Sequence, residues 1–210
     1  MKNAIDHFSV GADTLAQGVA FLKTALGVEM PKGSKHPMMA THNCVMRAGD
    51  DCFLELIAID PDDRPTRARW FSFDEPTTLR RLAERPRPLC WVVRTDDLDG
   101  IVRTSPVDLG EVVKFQRGER SWRLTVPADG HLPAQGLLPA FIEWSPGPHP
   151  SVSQQDLGVR LRRIVLTTPE PARLLSTLKA LNVDALADVR EGPTHLGFEL
   201  DTASGPVTLL

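Results

Sequence analysis

The chain has 210 residues, 41% hydrophobic and 24% charged, a globular balance that excludes disorder and fits one large domain or two small ones. Its formal net charge of −3, with no Lys/Arg-rich run, argues against a nucleic-acid partner or an anionic membrane surface. Three cysteines without CxxC spacing exclude a disulfide framework and a structural zinc site; with no apolar leader core and no span-length apolar run, the expectation is a cytoplasmic protein.

Residues 3–10, "NAIDHFSV", read as a strand with Asp6, Phe8 and Val10 on one side and Ile5, His7 and Ser9 on the other. Leu15, Val19, Leu22 and Leu26 recur at helical spacing and predict a helix over 13–26, capped by Asp13 and ended by Gly27. A short strand is expected at 28–30. The stretch "SKHPMMATHNC" then brings His36 and His42 close together before two strand-like runs, "THNCVMR" and "CFLELIAI", separated by the hairpin signal "AGDD". The order is β-α-β-β-β.

A two- or four-residue hairpin loop sets Arg47 opposite Cys52, so that His42, Cys44, Met46, Phe53, Glu55 and Ile57 share one face. Val45, Leu54, Leu56 and Ala58 then take the side under the helix, and Asn43 turns away from Glu55 to pin loop backbone. A three-residue loop would shift this register and remove His42 from the face. An ionised Glu55 within "FLELI" is costly unless it is paired or faces a wet cavity, or the face is simply exposed; His7 is its candidate partner.

The same order recurs from "PLCWVVRTDDLDGIV" to "LPAFIEW", and more loosely from "LRRIVLTT" to "PVTLL". The expected organisation is a first βαβββ unit over 1–60, a linker over 61–87, a second unit over 88–146 and a linker over 147–157. A third, partial or degenerate unit over 158–210 packs either within the chain or across a homodimer interface. The fold class is α+β, with curved mixed sheets. Arg117, Arg120 and Arg123 around "SWRL" either bind a substrate carboxylate or phosphate or reflect a general use of Arg over Lys. His149 in "PGPHPS" is assigned to linker geometry, and no Walker loop, GxGxxG, HExxH or GxSxG motif is present.

The segments "AIDHFSV", "GSKHPMMATHN", "FLELI" and "GLLPAFIEWSPGPHPS" resemble the glyoxalase-like branch of the vicinal oxygen chelate superfamily. The resemblance covers the first two units. It implies two βαβββ modules curled around a shared cup, in which the first and fourth strands of each module supply ligands to one divalent metal. Carried onto this chain, it nominates His7, Glu55, Cys90 and Glu143 for Zn, Fe, Mn or Ni, with Cys90 departing from the usual His, Glu or Gln. Glu143 and His42 are the candidates for moving a proton, and His36 and Arg123 for holding substrate. His42 otherwise reads as a hydrogen-bonded strand histidine. The implied function is a metal-dependent isomerase, lyase or dioxygenase acting on a small molecule with adjacent oxygens. The alternative is a metal-free protein that sequesters a small apolar compound in the same cup.

Overall fold

The computed structural model describes residues 3–210; residues 1 and 2, where the expected first unit begins, lie outside them. The first unit comprises β1 (Ala4–Gly11), α1 (Leu15–Leu26), β2 (Lys32–His36), β3 (Thr41–Arg47) and β4 (Phe53–Ile59). After α2 (Pro76–Glu84), the second comprises β5 (Arg87–Arg94), α3 (Leu98–Thr104), β6 (Glu111–Arg117), β7 (Arg120–Val126) and β8 (Ala140–Trp144). Their strands form one curled sheet in the order β2-β3-β4-β1-β5-β8-β7-β6. β1 is parallel to β4, β5 is parallel to β8, and the antiparallel pair β1–β5 joins the two units edge to edge.

The cap of α1 falls one residue later than expected, at Thr14 rather than Asp13. Thr14 accepts the Gln17 amide with its hydroxyl, and Gly27, at φ 71°, closes the helix in a left-handed turn. Such an N-cap contributes about 1 kcal/mol. Leu22 and Leu26 bury the inner stripe against the back of the sheet, beside Leu54 and Leu56. The second strand lies at 32–36 rather than 28–30, because Met30 is drawn into the core instead.

The hairpin between β3 and β4 has the three-residue loop. Ala48 donates its amide to the Cys52 carbonyl, Arg47 faces Phe53, Val45 faces Glu55 and His42 faces Ala58. His42 therefore shares the side of Cys44 and Met46, which pack beneath α1, and Asn43 and Val45 turn to the concave side. The segment 61–87 is more than a tether. It carries α2 and buries Trp70, Phe71, Phe73 and Leu82 in a second apolar cluster with Ile57, Val92, Leu124 and Ile142.

The last segment forms β9 (Arg160–Thr168), α4 (Pro171–Ala180), β10 (Asp188–Glu191), β11 (His195–Thr202) and β12 (Gly205–Leu209), a separate sheet in the order β10-β9-β11-β12. Here the strand parallel to β9 is β10, directly after the helix, whereas in the first two units it is the fourth strand. This sheet covers the convex back of the large sheet within the same chain. Phe198 meets Phe8 edge to face at 4.8 Å, and Ile164, Leu166 and Leu200 join Val10, Trp91 and Phe141 in one core. Truncating either Phe to Ala would cost about 3–5 kcal/mol. Among the described residues no helix is long and apolar enough to cross a membrane.

Candidate functional site

The concave side of the sheet encloses a cavity of about 310 Å³, the size of a small-molecule site. Its floor comes from the first unit. Alternation along β1 and β4 presents His7, Ser9, Phe53 and Glu55, the observed hairpin register adds Asn43 and Val45, and His36 closes the edge.

Glu55 is buried, yet both carboxylate oxygens are satisfied. The Ser9 hydroxyl donates to Oε2 at 2.7 Å and the Asn43 amide donates to Oε1 at 2.8 Å, while His7 Nε2 lies 4.0 Å from Oε2. The Ser34 amide donates to Asn43 Oδ1 at 2.9 Å, which fixes the side-chain amide with its nitrogen toward Glu55. That contact needs Gly33, since a Cβ there would lie 2.2 Å from the Asn43 carbonyl oxygen. Burial raises the Glu55 pKa, but nearby His7 and His36 and the two donated hydrogen bonds outweigh it, so the carboxyl titrates below its ordinary value. His36 is pushed by burial down to about 4 and is neutral at physiological pH. Its Nδ1 lies 3.1 Å from the Thr41 hydroxyl and its Nε2 3.4 Å from the Asn43 amide nitrogen.

A register shift in the β1–β5 pairing between Ile5 and His7 accompanies a second buried carboxylate, Asp6. Asp6 meets His7 Nδ1 at 2.6 Å, accepts the Trp144 indole N–H at 2.7 Å and meets His149 Nε2 at 2.9 Å. Burial works against its charge, but the hydrogen bonds to His149 and His7 and their proximity hold the carboxyl well below the usual range. Asp6 thus orients His7 with Nε2 toward Glu55, and ties β1 to β8 and to the segment after it. Ser151 anchors that segment, with its hydroxyl 2.8 Å from His149 Nδ1 and donating to the Asp50 carbonyl at 2.9 Å.

The walls are aromatic. His7 stacks on Phe53 at 4.5 Å, and Phe53 lies 6.0 Å from His149, which meets Trp144 at 6.5 Å. The series continues from Trp144 to Trp122 at 5.2 Å and to Phe115 at 5.6 Å, then crosses to Trp70 at 5.3 Å and His36 at 4.9 Å. Phe71 stacks on Trp70 at 5.2 Å. Phe71 and Ser72 both hold left-handed backbone with φ 59°, a conformation costing roughly 1–3 kcal/mol per residue outside glycine. Hydrogen bonds fix it: the Ser72 amide donates to the Gly130 carbonyl at 2.8 Å, and the Ser72 hydroxyl accepts the Leu132 amide at 2.9 Å.

Of the residues nominated from the sequence, His7, Glu55 and His36 meet in this cavity. His42 is turned to the other side by the hairpin register. Cys90 lies opposite Ser9, buried among Leu89, Val92 and Ile57, and burial pushes its thiol up, so the thiolate a metal needs is disfavoured. Glu143 and Arg123 occupy the outer side of β8 and β7. Arg123 Nε donates to Glu143 at 2.8 Å and Nη1 to Asp99 at 3.0 Å, and Glu143 accepts the Leu98 amide at the start of α3. Alternation gives the cup Ile142 and Trp144 instead. A catalytic zinc centre usually takes three protein donors. Among the described residues no three His, Cys, Asp or Glu side chains are grouped to hold an ion. The nominated donor set does not fit such a centre.

The glyoxalase-like domain family matches residues 5–182. The chain belongs to this family. No curated protein matches the sequence. Among solved structures, a hypothetical protein from Staphylococcus aureus is 12% identical with a TM-score of 0.62, over 99% of this chain and 84% of its own. Methylmalonyl-CoA epimerase from Mycobacterium tuberculosis is 15% identical with a TM-score of 0.43, over 71% and 91%. A hypothetical protein from Bacillus halodurans is 11% identical with a TM-score of 0.44, over 70% and 96%.

Within this glyoxalase-like cup, several residues escape a reading of the sequence. Asn43 is hidden by the hairpin register. Trp70 and Phe71 fall in a segment that reads as a linker, although the apolar "WFSF" within it is a signal of burial. His149 reads as turn geometry, and Asp6 as helix-side, because a strand bulge leaves no mark in an alternation count.

Proposed function

We propose that the cup binds a small, flat, largely apolar molecule and meets its polar end with His7, Glu55 and His36, with no need for an ion held at the four nominated strand positions. The nearly continuous series of aromatic rings around the cavity supports this reading. Flat rings supply contact area at little entropic cost, and each favourable pair adds about 0.5–1.5 kcal/mol beyond burial. Glu55, ionised and already engaged with Ser9 and Asn43, is suited to accept a hydrogen bond from a ligand hydroxyl or N–H.

The second reading keeps a divalent metal and makes the protein a metal-dependent lyase or isomerase. One observation favours it: the Asp6 carboxylate at His7 Nδ1 is the arrangement that commonly orients a metal-binding histidine. With His7 and Glu55 as the donors in reach, such an ion would rely on substrate oxygens for the rest of its shell.

Calorimetric titration with 2-naphthol, before and after exhaustive EDTA treatment, separates the two. Binding unchanged by EDTA and weakened about tenfold in Trp122→Ala is expected; tenfold corresponds to about 1.4 kcal/mol. Binding abolished by EDTA, restored by Zn²⁺ and lost in His7→Ala would establish the second reading instead.

A further inference from the structure

The hairpin of β6 and β7 turns through Gly118 and Glu119, with Gly118 at φ 58° as a tight two-residue hairpin requires. Arg117 and Arg120 are therefore directly opposed, as are Phe115 and Trp122 two residues further in. Opposed residues share a face, and here it is the cup face: both arginines line the cavity. Each guanidinium lies over an indole, Arg117 at 5.5 Å from Trp122 and Arg120 at 5.9 Å from Trp144. Among the described residues neither forms an ion pair, and the side-chain hydrogen bond between this pair and the rest of the chain runs from Arg117 Nη2 to the Lys35 carbonyl at 3.5 Å.

This placement carries a cost, since like charges directly opposed on a strand pair destabilise it. Burial also disfavours the charged form of Arg117, and Arg120 adds in the same direction while Glu55 opposes. Arg123, on the same strand but the outer face, is bonded to both Glu143 and Asp99. The hairpin thus gives the guanidinium that faces away from the cavity two carboxylate partners and, among the described residues, leaves the two that face into it without one. Stacked on indole faces, the planar forks keep their N–H edges available, the geometry that recognises a carboxylate in pairs of hydrogen bonds.

We propose that the cup's ligand is a flat organic carboxylate whose anionic group is clamped by Arg117 and Arg120 at the hairpin tip, its other end, a hydroxyl or N–H donor, reaching Glu55 and His7 on the floor. The inference rests on the cup being a binding site and assigns the ligand's charge and its direction of entry. Glu55, on the floor, repels the carboxylate and so favours that direction. Neutral His36, also lining the cup, adds no further charge against the apolar body.

The experiment compares two probes by calorimetry on the full chain: 2-naphthol and 6-hydroxy-2-naphthoate, which differ by the carboxylate. Wild type should bind the carboxylate at least tenfold more tightly at low salt, with the advantage shrinking as salt rises. Arg117→Met/Arg120→Met should abolish that advantage and bring the two probes to equal affinity. Each single variant should lose part of the advantage, which keeps the test decisive if the double variant misfolds by circular dichroism. Equal binding of both probes to wild type would overturn the charge assignment while leaving the cup as a binding site. Binding of neither would overturn the cup reading and this inference with it.

Discussion

The two halves of the cup are built on the same βαβββ scaffold and line it with opposite charge. In the first, β1 and β4 present His7, Ser9 and Glu55, with each oxygen of the buried Glu55 carboxylate hydrogen-bonded. In the second, β5 and β8 bury Cys90 and present Ile142 and Trp144, and the charges on the cup side are the two arginines at the β6–β7 tip. The repeat carries over strand order, curvature and the parallel closing pair. It does not carry over the phase of individual residues. Glu143 sits one residue from a cup-facing position, and one residue on a strand is a change of face. A repeat in sequence is therefore evidence for the sheet, and the site has to be read position by position.

Three substitutions sharpen the comparison. The largest effect is expected where the halves are tied together. Asp6→Ala removes the partner of one nitrogen each on buried His7 and His149 and on half-buried Trp144, and should lower unfolding free energy by about 3–5 kcal/mol in urea titration. An unchanged midpoint would mean that the halves hold together without it. The next effect belongs to the polar floor. The folded pKa of His36, about 4, lies below its ordinary 6.5, so the unfolded chain takes up the proton first as pH falls. Its contribution is complete above pH 6.5 and is lost on acidification to pH 4, amounting to about 3 kcal/mol at most. The lowered carboxyls Asp6 and Glu55 act in the same sense at still lower pH. Urea midpoints at pH 7 and pH 5 should differ markedly in wild type and much less in His36→Gln; equal pH dependence in both would remove His36 from the account. The smallest effect is expected on the outer face. Arg123→Met breaks part-exposed ion pairs, should cost less than about 1 kcal/mol and should leave 2-naphthol affinity unchanged. A clear loss of affinity would move the site toward the face that Arg123 occupies.

What can be read from the sequence follows from which forces are local. Helical spacing finds α1, strand alternation finds β1, β4 and β5, and the recurrence of these segments indicates the curled α+β sheet. His7 and Glu55 are recognisable because a polar residue in an apolar strand stands out against its neighbours. His42 is misplaced by one loop residue: "AGDD" is compatible with several hairpin lengths, and only tertiary packing selects the three-residue loop that sends Asn43 inward. Arg123 is favoured over Arg117 and Arg120 for a similar reason, since a charge cluster gives no face until the strand phase is known. Trp70 and Phe71 reach the cup, and His149 reaches Asp6, through irregular chain, where no periodicity exists to be read.

The aromatic walls also make the protein its own optical gauge. The chain has four tryptophans and no tyrosine. Trp70, Trp122 and Trp144 line the cavity, while Trp91 is sealed in the apolar core behind the sheet. Near-ultraviolet emission from the folded protein therefore originates largely at the cup. An occupant that stacks on these indoles or displaces water from them will register as quenching or a blue shift, against a steady contribution from Trp91. Occupancy can thus be followed in the unmodified protein without a label, whatever the chemical identity of the occupant.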